Sequence, residues 1–136
     1  MKKIVFILLA LHSILLTGCS EDDKPVEALQ GRWNLIEVSG GFGGGGEQFQ
    51  RGDITWTFNE NNQTIVVTDN RLVVPHHPGF GGLPEGTHNY TLSAEGEVCD
   101  EALHVDNINF GCVSIQGNHL QLSMNHADGL VHTFIR

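Results

Sequence analysis

Past Leu29 the chain alternates apolar and polar residues with a period of two and shows little helical periodicity. In Asp53–Asn59, Ile54, Trp56 and Phe58 share one face while Thr55 and Thr57 share the other, which predicts a half-buried strand. Asn61-Asn62 predicts a tight turn into Thr64–Thr68, a run rich in β-branched residues. His88–Leu92 alternates again. Leu120, Leu122 and Met124 share a face, His126–Gly129 reads as a turn, and Leu130–Arg136 as the closing strand. With Arg32–Val38 in front and short strands at Leu103–Val105 and Cys112–Ile115, the count reaches about eight.

Even spacing and turn chemistry predict an all-β, antiparallel up-and-down meander. Eight strands suffice to close a barrel whose interior holds side chains or one small ligand, and closure removes exposed edges. A β-sandwich has the same strand count. Asp69-Asn70 leaves a local choice open: a hairpin turn that makes Leu72–Val74 a strand, a bulge, or the start of a loop.

The N-terminus departs from this pattern. Lys2 and Lys3 precede Ile4–Leu16, an apolar run broken by His12 and Ser13 and too short for a bilayer core of about 30 Å. Its flanks are those of a cleaved signal, expected as a signal helix over residues 1–18. Leu16-Thr17-Gly18-Cys19 resembles the bacterial lipobox, which implies cleavage before Cys19 and lipid on its thiol. Several acyl chains, at about 0.8 kcal/mol per buried CH₂, make such anchoring effectively permanent. An ordinary secretory signal is the plainer alternative. Residues 19–27 form an acidic tether, and Cys19-Ser20-Glu21-Asp22-Asp23 resembles the export signal of Bacteroidetes lipoproteins. That resemblance implies lipid anchoring at the outer membrane, exposed at the cell surface.

Charge narrows the function classes. The chain carries a net −9, and loss of Lys2 and Lys3 leaves five basic against sixteen acidic residues, a net −11. Such a surface repels nucleic acid and anionic lipid, so nucleic-acid binding is excluded and cationic partners are favoured. Residues 28–136 suffice for one domain. In an extracytoplasmic compartment Cys99 and Cys112 are candidates for a disulfide, with two unpaired thiols as the alternative.

Leu29-Gln30-Gly31-Arg32-Trp33-Asn34-Leu35 resembles the Gly-x-Trp opening of lipocalins and of the short lipocalin-like domains of Bacteroidetes lipoproteins. Ile54–Phe58, Gly86-Thr87-x-x-Tyr90, Leu120–Leu122 and Phe134-Ile135-Arg136 follow in the same order as similar segments of those domains. The resemblance spans nearly all of residues 28–136 and implies a lipocalin-like barrel. It also implies that Trp33 plugs the closed end, with Arg136 across it. The chain is shorter than true lipocalins and has no convincing C-terminal helix, which implies a small or filled cavity.

Catalytic motifs are sparse. Gly41–Gly46 matches G-x-G-x-x-G in form, but no helical segment follows to present its N-terminus to a phosphate. Gly-Phe-Gly-Gly occurs at 41–44 and again at 79–82, and a meander places both at one end of the barrel. Phe42 and Phe80 are then candidate rim aromatics for ligand or partner contact, or folded covers of the barrel mouth. His76 and His77 point opposite ways in extended chain, so a metal site using one of them with His88 is poorly supported and none is expected. Glu95 and Glu97 flank Gly96 in a turn and read as a solvated pair. No nucleophile elbow is present. The expectation is a non-enzyme with no cofactor.

Two readings remain. One is a barrel that binds a small apolar or amphipathic ligand, with Trp56, Phe58, Tyr90, Phe42 and Phe80 as lining or rim. The other is a solid barrel whose loops contact another envelope protein. A void of roughly 300 Å³ lined by these aromatics marks the first.

Overall fold

The alternation is realised as nine strands in a computed structural model that describes residues 28–72, 82–95, 98–124 and 128–136. They are β1 (Gly31–Gly40), β2 (Gly45–Gln48), β3 (Ile54–Asn59), β4 (Thr64–Asp69), β5 (Gly86–Ser93), β6 (Ala102–Val105), β7 (Ile108–Gln116), β8 (His119–Ser123) and β9 (Leu130–Ile135). No helix occurs among the described residues. The expected signal helix, the lipobox and the acidic tether lie outside them.

Sequential neighbours pair antiparallel, and β1 also pairs with β9, so the sheet closes. The nine strands make eight staves. β1 bonds β3 through Gly31–Leu35 and, farther along the same edge, bonds β2 through Glu37–Gly40. β2 and β3 are thus one stave, interrupted where Phe49 N–H donates to the Ile36 carbonyl at 2.9 Å. The sequence pattern misses β2 because Gly45-Gly46 carries no alternation. The chain returns there because Gly40, Gly41, Gly43 and Gly44 all adopt positive φ, which glycine reaches at little steric cost. The barrel, not the sandwich, is the architecture.

One further boundary differs from the expectation, and one open choice is decided. β7 starts at Ile108, not Cys112, because Asp106 and Asn107 both take positive φ (45° and 71°) and make a two-residue hairpin between Val105 and Ile108. Asp-Asn is a less common signal for that turn than Asn-Gly. β4 ends at Asp69, whose carboxylate accepts from Arg71 N–H and from two guanidinium nitrogens at 2.9 and 2.7 Å. The chain turns there, Leu72 is fully exposed and outside any strand, and Val73 and Val74 lie outside the described residues.

The closed meander gives the barrel two distinct ends. Ala28, the β3–β4 and β7–β8 turns and Arg136 lie at the base. The β1–β2 turn, the connections after β4 and β8, and the β6–β7 turn lie at the rim. The interior is filled with side chains, as expected for eight strands. Trp33, Leu35, Trp56, Phe58, Ile65, Leu103, Phe110, Leu120, Leu122 and Phe134 are all buried within it. Cys99 and Cys112 are joined in a disulfide with Cα atoms 5.9 Å apart, tying the β5–β6 connection to β7.

Candidate functional site

The base is sealed by side chains. Trp33 is buried, its indole N–H donates to the Leu29 carbonyl at 2.8 Å, and the Arg136 guanidinium carbon lies 4.3 Å from the indole centroid. Arg136 also donates to the carbonyls of Gly117 (3.2 Å) and Ala28 (3.4 Å). One cation therefore fastens the first strand, the β7–β8 turn and the chain entering the barrel.

An aromatic cluster runs through the interior from the level of Trp33 to the rim. Trp56, central on β3, has ring centroids of Phe110 at 5.3 Å, Phe134 at 5.0 Å, Phe58 at 6.2 Å and His132 at 6.4 Å. Phe110 stands edge-on to Trp56 and lies 5.4 Å from His132. Tyr90 packs edge-on against Phe58 at 5.5 Å. Desolvation raises the Tyr90 phenol above its usual range, aided by the Glu60 charge.

This arrangement fixes where the candidate lining residues sit. Trp56, Phe58 and Tyr90 come together, but as mutually packed core. Two surface depressions of about 190 and 250 Å³ exist among the described residues, and none of the three lines either. Phe42 stands apart on the rim, 97% exposed, and Phe80 lies outside the described residues. His76, His77 and Glu97 also lie outside them. No group of three or more potential metal-ligating side chains occurs among the described residues. Glu95 instead meets His104, with Oε1 and Nε2 3.2 Å apart.

The sequence reading missed the polar residues of the interior. His132 takes an inward position two residues before Phe134 and is 1% exposed. Among the described residues neither of its ring nitrogens has a hydrogen-bond partner, and the same holds for Trp56 Nε1. Each such buried orphan costs about 1–3 kcal/mol relative to a bonded state. Burial pushes His132 down to about 4, so the imidazole is neutral at physiological pH. A neutral imidazole offers one donor and one acceptor, and the indole adds a second donor. The signal was present in the alternation: His132 shares the face of Phe134.

Gly82 closes this cluster from above. A Cβ at Gly82 would stand 3.0 Å from Phe110 Cε1 and 3.3 Å from both His132 Nε2 and Trp56 Cζ2, and φ is +80°. Only glycine lets the backbone settle on these rings. The following residues are held by His88 on β5. Its Nδ1 meets Asp106 Oδ2 at 2.6 Å and its Nε2 meets the Pro84 carbonyl at 2.8 Å. Both partners are acceptors, so both bonds exist together only when both nitrogens carry a proton. The bond from His88 holds the Asp106 carboxyl below its ordinary range, and the bond from Asn89 N–H adds to this.

A second rim cluster centres on Arg71, which pairs with Asp69, lies 3.7 Å from Glu47 and covers the Phe49 ring at 5.5 Å. The Arg71 bond lowers the Asp69 carboxyl against the opposing effect of burial. This ties β4 to β2 and leaves the guanidinium committed.

These features define a closed, filled, eight-stave antiparallel β-barrel with one end sealed by side chains and the other covered by backbone. Comparison of the chain with protein-family models, with curated proteins and with solved structures gives no match.

Proposed function

We propose that the protein is a membrane-anchored, lipocalin-like lipoprotein that binds a small apolar or amphipathic molecule at the cell envelope, without catalysis. The observation that carries this reading is the inequality of the two barrel ends. The base is locked by Trp33, Arg136 and three backbone carbonyls. The rim is closed over the aromatic cluster by the backbone at Gly82, which contacts those rings without bonding their polar atoms. A molecule entering from the rim beside Gly82 leaves the staves intact. In this reading the lipid sits on Cys19 and residues 19–27 tether the base to the outer membrane, so the rim faces away from the anchor. The acidic run after Cys19 supports display on the outer face.

A second reading keeps the barrel solid and assigns function to the rim loops as a contact for another envelope protein. The filled interior favours it, as do Phe42 and Leu72, each almost wholly exposed on rim segments. Native mass spectrometry of the full chain extracted from its host membrane separates the two. Ligand binding predicts a reproducible small-molecule adduct that leaves on activation. Repeated absence of an adduct, with no thermal shift across lipids and metabolites, would remove the first reading and leave the second.

A further inference from the structure

We propose that Trp56 Nε1 and the His132 ring form the polar end of a binding site beneath Gly82–Glu85, and that the site takes an uncharged molecule carrying a hydroxyl group on an apolar body. This rests on the ligand-binding reading above and specifies its chemistry.

Two buried side chains with three orphaned polar atoms lie in one cluster, their ring centroids 6.4 Å apart. Their other neighbours, Phe58, Phe110 and Phe134, offer only carbon. A ligand that fits must therefore be apolar except at one point. At that point it must accept from the Trp56 N–H and give a proton to the free imidazole nitrogen. A hydroxyl does both, whereas a carbonyl only accepts. A carboxylate fits poorly, because a neutral His132 supplies no countercharge for a buried anion. Room is made by lifting Gly82–Glu85. That segment bonds neither polar ring of the cluster; it is tied to the barrel by the Leu83 side chain, buried in the core, and by the His88 contact with the Pro84 carbonyl.

The test uses the full-length ¹⁵N-labelled protein titrated with 1-octanol, 2-octanone, octane, and octanoate at pH 8. The Trp56 indole N–H is followed, with Trp33, already bonded to Leu29, as the internal reference. Octanol is expected to bind most tightly and to move the Trp56 signal downfield while Trp33 stays still. His132→Phe and Trp56→Phe should each lower the octanol-to-octane affinity ratio about tenfold, the equivalent of about 1.4 kcal/mol. Melting curves check that each variant folds, and the octanol-to-octane ratio in the unaltered protein requires no variant. Equal binding of octanol and octane overturns the polar end while leaving ligand binding standing. Octanoate as the best ligand overturns the chemical class. No response to any probe, with the Trp56 signal already that of a bonded indole, means a structural water only and overturns both.

Discussion

The Arg136 guanidinium lies 4.3 Å from the centre of the Trp33 indole; Trp33 stands on β1 and Arg136 directly follows β9, the two strands that close the barrel. The pair seals the base and marks which end has no opening. A cation over an indole contributes about 0.5–2 kcal/mol. The hydrogen bonds from Arg136 to Ala28 and Gly117 add to it. Arg136→Ala should destabilise the fold by about 1–3 kcal/mol. Arg136→Lys should recover only part of this, because an ammonium cannot stack on the indole and reach both carbonyls in one plane. Urea melts of the three proteins check the order.

His132 predicts a specific acid response. Its folded value is about 4 against 6.5 for the free side chain. Between those limits the unfolded chain binds a proton that the folded chain refuses, so stability falls as pH drops from 6.5 to 4. The loss is about 3 kcal/mol at 1.36 kcal/mol per unit, and it levels off below the folded value. Asp69 and Asp106 have folded values lowered below 3.8, so their contributions are lost at still lower pH. Stability curves for the unaltered protein and His132→Phe should differ in slope between pH 6.5 and 4 and run parallel below it. Parallel curves throughout would contradict the neutral buried imidazole.

The Cys99–Cys112 bond closes a loop with a sequence separation of 13. In the chain-entropy model a loop of this size stabilises by about 3 kcal/mol. Reduction, or the double substitution to serine, should lower the melting temperature by several degrees. An unchanged melting temperature would show that the bond carries no weight in the fold.

The proposed lipid anchor on Cys19 gives a separate prediction. Cys19→Ala should move the protein from the membrane fraction to the soluble or secreted fraction. Retention in the membrane would contradict lipid attachment at that residue.

The strands were legible wherever one face is buried. Ile54, Trp56 and Phe58 alternate with threonines and form β3 as read. The Gly-rich β2 was not legible, since its pairing comes from a turn and from β1, not from its own side chains. The candidate lining was legible in part. Alternation shows that Trp56, Phe58 and Tyr90 face inward, but it cannot show that they fill the space they face. The burial of His132 and His88 is not marked by residue type, since histidine is often exposed. Their inward position follows from register, and whether their ring nitrogens find hydrogen-bond partners follows only from three-dimensional contacts. Gly82 looked like part of a repeated glycine motif, and its close approach to three rings is a tertiary feature.

The direct measurement of ligand entry at the rim is photolabelling of the full-length protein with a diazirine-bearing octanol, followed by peptide mapping. Label is expected on peptides containing Gly82–Glu85, Phe110 or His132, competed away by unlabelled octanol. Label concentrated near Trp33 and Arg136, or spread evenly over the outer faces of the strands without competition, would contradict a ligand site beneath the rim.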